Sequence, residues 1–416
     1  MVSDNEIREL RQAYELWQSL EIAFEYGPLR AYAPAHHGQI QSLWRNIIDP
    51  AVKLVAQTDT KTADGVHEAR APSPWHAYFY LRAQQQYVYR AGRPLGASTE
   101  DAGQTGGDHL FFRGQRCSCW DFNSSLRRKD DATRIIEERA VVALKEYFRR
   151  IFAADDDVAS NTARCFAQHY GIATDLADIS CDPDIAIWFA THPFKAACPS
   201  DDPDGVVRAV SWAGQQQRAE TVFLLPPPFV RNVYEQRGLF IDTSRTDGVV
   251  NGNLILQVKF PRDTAGDEFR VRRRNQELEV WPTPDETEQE LVNWAREVAT
   301  DATDDEDIRN KVAHAKKDSS LPKFWLAREL WDRDKQISGW LSILDWVLPS
   351  TCITALPVTS AEGPMRYEIL DLKVKALVRA NPTFFRAFVE ASSESDFTGF
   401  KVLEKVLTIA RAELGI

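Results

Sequence analysis

Two stretches of this sequence hold side chains that packing alone explains poorly. Between Gln168 and Ala190 the order is Gln168-His169-Tyr170-Gly171, a strand-like run ending at Ser180, then Asp182-Pro183 ahead of an apolar run with Ile185, Ala186, Trp188 and Phe189. Asp182 is placed to cap a helix whose first residue is Pro183. Strand, turn and helix in this order gather polar groups where a helix N-terminus offers free N–H donors, a usual place to hold an anion or nucleotide. Upstream, Arg113 precedes Gly114 at the end of another strand-like run. A guanidinium is always charged and its planar fork fits phosphate or carboxylate, so a ligand role suits Arg113 better than packing does. His169, a lone histidine before a tight turn, reads either as a structural hydrogen-bonder or as a ligand group. Asp178 reads as a turn-ordering or capping carboxylate, or as a ligand contact.

Taken in order, Phe112-Arg113-Gly114-Gln115, Trp120, Ser125-Leu126-Arg127-Arg128, the Gln168-His169-Tyr170-Gly171 block and the helix ending in Phe189-Ala190 resemble the FRG domain across roughly Asp108 to Trp294. The combination carries the resemblance, since a lone Phe-Arg-Gly is common. The FRG domain is similar in turn to ADP-ribosyltransferases in motif order. That likeness implies NAD as co-substrate, with Arg113-Gly114 gripping its pyrophosphate or ribose and Ser180 with the following helix as the second element. Cleaving the glycosidic bond builds positive charge on the ribose, so the site needs a fixed clamp and an acceptor beside the sugar. The family's Gln-x-Gly pattern matches Gln236-Arg237-Gly238, and Glu235 stands next to it. Gln236 has no charge to stabilise an oxocarbenium ion, and neighbours on a strand face opposite ways.

The resemblance thus makes Arg113, Glu235 and Gln236 the catalytic candidates and Gln115, His169, Tyr170, Asp178 and Ser180 the ligand-binding ones. Glu277-Leu278-Glu279, of Glu-x-Glu form, is a second candidate for the carboxylate, one that an exposed strand with alternating carboxylates explains more simply. In Ala173-Thr174-Asp175-Leu176-Ala177-Asp178-Ile179-Ser180 the chain departs from the family, with Asp175 in place of an arginine and Ile179 in place of a tryptophan. Two functions are expected from different classes. One is an NAD-using, ADP-ribosyltransferase-like effector in bacterial defence or toxin biology. The other is a non-catalytic module that senses a nucleotide or nucleic acid while helical ends dock a protein partner.

The 416 residues suffice for two or three domains, and 44% hydrophobic content describes a globular chain. A net charge of −11 opposes non-specific attraction to nucleic acid or an anionic membrane. No basic-then-apolar leader and no membrane-length apolar run is present. The six cysteines show no disulfide-framework spacing, so a reducing cytoplasm with buried or incidental thiols is expected. Cys117, Cys119, Cys165, His169 and Cys181 lack the ligand-pair gaps of structural zinc sites, and no metal is expected.

The elements that must position these residues form an α+β chain, with a central FRG domain of mixed strands and helices flanked by helical regions. The domains expected are residues 1–107, 108–300 and 301–416. Helical spacing predicts helices over Ile7–Tyr26, Gln39–Gln57 and Pro74–Arg90, with a loop at Thr58–Pro72 and a linker at Gly96–Gly107. Strands are expected at His109–Gly114, Gly205–Val210, Gly238–Ile241 and Leu254–Phe260, with shorter ones near Arg270 and Leu278. Asp131–Ala153 reads as a helix with Ile135, Ala140, Val141, Leu144, Tyr147, Phe148 and Ile151 inward, ended by the acidic run at Asp155. Helices follow from Glu286, and Trp325, Trp331, Trp340 and Trp346 are expected to pack between helices.

Overall fold

Proline and glycine punctuation and period-two or period-3.6 patterning divide the chain much as expected. The computed structural model describes residues 3–19, 42–91, 110–152, 156–180, 182–192, 202–211, 222–224, 236, 238–244, 254–262, 269–273, 276–281, 283–315 and 321–322. Among them the helices are α1 (Asp4–Ser19), α2 (Asp49–Ala56), α3 (Pro74–Ala91), α4 (Asp131–Phe152), α5 (Asp156–His169), α6 (Pro183–Thr191), α7 (Glu286–Asp301) and α8 (Asp305–His314). The strands are β1 (Thr60–Lys61), β2 (His67–Arg70), β3 (Leu110–Gln115), β4 (Leu176–Ser180), β5 (Asp204–Ser211), β6 (Val222–Leu224), β7 (Gly238–Asp242), β8 (Leu254–Pro261), β9 (Arg272–Arg273) and β10 (Gln276–Glu277). This is the α+β architecture that the sequence predicts. No helix among the described residues is long and apolar enough to cross a membrane. The predicted linker at Gly96–Gly107 and the tryptophan-rich segment lie outside the described residues.

The chain groups into two compact units. The first contains Met1–Asp121, Ile179–Gln217 and Asn251–Val280; the second contains Phe122–Asp178, Arg218–Val250 and Trp281–Ile416. In the first unit the strand order is β1-β2-β8-β5-β3, with the end of β4 next. Only β2 runs parallel to its neighbour β8 among these pairs; the others are antiparallel. One face of this sheet shares a core with α1, α2, α3 and α6, in which Leu10, Tyr14, Tyr78, Phe112, Ala186, Val207 and Val258 are buried together. The N-terminal helices therefore pack on the same core as the Phe-Arg-Gly strand. Thr58–Pro72, read as a loop, instead forms β1 and β2, because His67 and Ala69 alternate inward over only four residues, too short a pattern to stand out.

In the second unit α4, α5, α7 and α8 bury Leu144, Phe148, Phe166, Leu291 and Ile308 in one cluster beside Leu176 and Phe240. Helix α5 was not expected, since the acidic run that ends α4 also opens the next helix, where carboxylates favour the N-terminal dipole. Ile135, expected inward, is 48% exposed, because the inward stripe of α4 begins only one turn later, at Ala140. Asp285 opens α7 with a full capping box, its side chain accepting from Glu288 N while Glu288 accepts from Asp285 N.

Candidate functional site

Strand β3 owes its place to alternation. Leu110 and Phe112 are buried in the core shared with α6, and Gly114 lies on the same side, so close to the helix that a Cβ there would stand 1.6 Å from Ala186 O. Phe111, Arg113 and Gln115 therefore point to the other face. On that face the register places Arg113 directly opposite Arg208 of β5, Arg208 opposite Gln257 of β8, and Gln257 opposite Glu68 of β2. The result is a polar row across the sheet, with Arg113 at 9% and Arg208 at 8% exposure. Arg208 donates to Gln115 Oε1 and, at 3.0 Å, to Ser118 O, while Gln115 donates to Asp121 O at 2.8 Å. Both acceptors of Arg208 are neutral, and among the described residues it makes no ion pair. Burial pushes its guanidinium below the usual range, although Asp121 and Glu68 act in the opposite direction from farther away.

Ser180 does not join this row. It is the register partner of Phe112, so its side chain lies on the α6 face, opposite to that of Arg113. There its Oγ accepts from Asp182 N at 3.0 Å and shapes the turn into α6. Asp182 does not cap that helix, as it makes no side-chain capping bond. Its carboxylate instead takes a 2.9 Å bond from Arg82 of α3, while the fully buried Asp184 accepts from Tyr14 of α1 at 3.3 Å. These carboxylates fasten the N-terminal helices to the start of α6. Arg113 and Ser180, the first and second elements that the resemblance implies, thus point to opposite faces of the sheet, a matter of strand parity that depends on pairing register.

In the second unit each residue of Gln168-His169-Tyr170-Gly171 has its own task. Gln168 accepts from Ser125 Oγ (2.8 Å) and Thr174 Oγ1 (2.7 Å) and donates to Asp178 Oδ2 (2.7 Å). Gly171, with φ of +86°, ends α5 in the left-handed conformation that glycine tolerates best. The Tyr170 hydroxyl, a predicted ligand group, is committed to Glu288 Oε1 at 2.6 Å, and its ring lies 4.4 Å from that of Phe166. It ties the end of α5 to the cap of α7. His169 is 2% exposed, and neither ring nitrogen makes a hydrogen bond. Asp178 Oδ1 is 3.9 Å from its Nε2. Gln236 is buried at 3% exposure in the same unit, and Glu235 lies outside the described residues.

Burial holds the His169 imidazole down at about 4 against the partial pull of Asp178. The unfolded chain then takes up a proton near pH 6.5 that the folded chain refuses until about 4. Stability is therefore expected to fall as pH drops through that window and to level off below it. His169→Phe should flatten this part of a melting-temperature profile against pH, and an unchanged slope would contradict the assignment.

Sequence reasoning missed Arg208, although a single arginine inside Gly205-Val206-Val207-Arg208-Ala209-Val210 is a visible signal of a buried charge. Ser73, His76 and Glu6 form a chain with the order of nucleophile, base and carboxylate, at 2.8 Å and 3.4 Å. Ser73 and His76 are fully buried at the start of α3, and the chain fastens that helix to α1 through Glu6. Cys117, expected as a thiol, is disulfide-bonded, whereas Cys119 and Cys165 are thiols. A groove of about 570 Å³ along α7, lined by Glu286, Glu290, Glu297 and Trp294, holds none of the predicted residues.

Comparison with known proteins bears on the same stretch. No curated protein and no solved structure matches the chain. Residues 108–197 match the family model of the FRG domain, a span that includes both Phe112-Arg113-Gly114 and the Gln168–Gly171 block. The chain thus carries an FRG domain within residues 108–197.

Proposed function

We propose that the first unit binds an anionic ligand of the nucleotide phosphate class, gripped by Arg113 and Arg208. One observation carries the reading: two buried guanidinium groups stand directly opposite each other on neighbouring strands, and Arg208 has only neutral acceptors. Like charges directly opposite on a sheet destabilise it, and a buried cation such as Arg208, held by neutral acceptors alone, is costly. An anion between them would relieve both penalties and accept the bidentate bonds that arginine favours. Gln115 positions Arg208, and Gln257 and Glu68 continue the row. This is the binding-module reading rather than the transferase one, because the transferase needs Arg113 and Ser180 at one cavity.

The test is thermal shift of the full chain with inorganic pyrophosphate, ADP and NAD. A ligand at a hundred times its dissociation constant adds about 2.7 kcal/mol to stability. Arg208→Gln should abolish the shift while the ligand-free variant melts no lower than wild type, since a buried like charge has been removed. A flat wild-type response, or an Arg208→Gln variant that still responds, would remove the proposal. If NAD gives the largest shift and free nicotinamide accumulates in an Arg113-dependent way, the effector reading with NAD as co-substrate takes its place.

A further inference from the structure

We infer that His169, Asp178 and Trp281 in the second unit form a separate site for a planar nitrogen heterocycle of the nucleobase class. His169 is 2% exposed, yet both of its ring nitrogens go without a hydrogen bond, whereas buried polar atoms in folded proteins are overwhelmingly paired. A neutral imidazole presents one N–H donor and one bare nitrogen acceptor. Beside it, the Asp178 side chain is 40% exposed and places Oδ1 3.9 Å from Nε2, too far for a hydrogen bond. Its other oxygen is held by the Gln168 amide, and the carbonyl of that amide is in turn fixed by Ser125 and Thr174 hydroxyls. The carboxylate is therefore held in place from behind with one oxygen toward the imidazole.

The walls of the site are aromatic. Phe240 meets the His169 ring edge-on at 5.1 Å and 72°. Trp281 lies nearly parallel to it, at 6.2 Å and 25°, and is 38% exposed, one of the few large hydrophobic side chains among the described residues that reach solvent. A guest stacked along the Trp281 ring, which lies nearly parallel to the imidazole, would be selected for flatness. The polar groups ask that guest for an N–H toward the carboxylate and an adjacent donor or acceptor toward the imidazole. The edge of a nucleobase offers this pairing. A phosphate dianion, an acceptor only, does not, so this site differs in kind from the arginine row.

The experiment uses nucleosides, which carry no phosphate, so its outcome is independent of the arginine row. Adenosine, guanosine, cytidine and uridine are titrated calorimetrically into the full chain and into His169→Phe and Trp281→Leu, with free ribose as a further arm. At least one nucleoside should bind saturably, and each substitution should weaken it tenfold or more. His169→Phe should melt no lower than wild type at pH 7, as expected when an unpaired buried polar group is replaced by a ring of similar shape. The inference is overturned if no nucleoside binds, if ribose binds as well as the nucleosides do, or if His169→Phe binds normally. A His169→Phe variant that melts markedly lower while nucleosides fail to bind wild type would make the imidazole a packing residue only.

Discussion

Gly114→Ala should leave little or no soluble folded protein, the largest effect expected of any single substitution in this chain. A methyl group at that position would stand 1.6 Å from Ala186 O and 2.6 Å from Ala186 C, both backbone atoms of α6, so no side chain can turn aside to admit it. The helix would have to lift from the sheet by well over an ångström, and Ile185, Ala186, Ile187 and Ala190 would lose their contacts together. Overpacking in a core commonly costs about 1–3 kcal/mol, and a clash between backbones exceeds that range. We expect more than about 4 kcal/mol, most of the stability of an ordinary domain. Gly205→Ala on the neighbouring strand provides the internal scale, since its Cβ would meet Ala190 O at 2.6 Å. It should cost less, about 2–3 kcal/mol. Urea unfolding of the pair decides the matter. A folded Gly114→Ala variant with a midpoint at or above that of Gly205→Ala would contradict the close approach of β3 and α6.

The same geometry separates the roles of the motif's last two residues. Gly114 is required by helix packing, and Arg113, one residue earlier, is turned away from that helix by strand alternation. This division was legible in the sequence only in part. The arginine and the glycine stood out as chemically unusual, and the turn signals around Asp182-Pro183 located β4 and α6 to within a residue or two. What local patterning does not encode is which strands pair and in what register. The partnership of Phe112 with Ser180 sends the serine to the helix face, and the partnership of Arg113 with Arg208 builds the polar row, yet both depend on segments far apart in the chain. The same holds for Tyr170, whose hydroxyl finds Glu288 more than a hundred residues away. Helices α1, α3 and α4 were readable because their apolar period is long, whereas β1 and β6 are two or three residues each and leave no period to read.

Asp175, where the resemblance leads one to expect an arginine, is bonded to a guanidinium from α5, that of Arg164. Arg164 reaches Asp175 Oδ1 through Nε (2.9 Å) and Nη2 (2.7 Å), and takes Asp242 as a two-pronged partner at 2.9 and 2.6 Å. The side chains of the three are only 15%, 31% and 17% exposed, so solvent screens them weakly. Burial alone would raise the Asp242 carboxyl and lower the guanidinium. The hydrogen bonds and charge between them prevail, holding Asp242 below the ordinary carboxylate range and Arg164 above its own.

Arg164→Ala should therefore cost about 3–5 kcal/mol, toward the lower end because Asp175 is nearly one-third exposed. Two carboxylates would remain with no cation between them, and acid should partly rescue the variant by protonating them. Wild type should behave in the opposite way. Because the folded carboxyl of Asp242 is depressed, its contribution is fully present above the unfolded value of about 3.9 and is lost as pH falls through the folded value. Reversing the charge at one position alone, as Asp175→Arg, should be at least as damaging as Arg164→Ala, since it sets two guanidinium groups against a single Asp242. Combining Asp175→Arg with Arg164→Asp should recover at least about 1 kcal/mol relative to the sum of the single changes, the coupling expected of residues in direct contact. Chemical denaturation of wild type, Arg164→Ala, Arg164→Asp, Asp175→Arg and the double variant at pH 7 and pH 4 measures this cycle. Strict additivity, or an Arg164→Ala variant within about 0.5 kcal/mol of wild type, would show that the network does not hold β4 and β7 to α5.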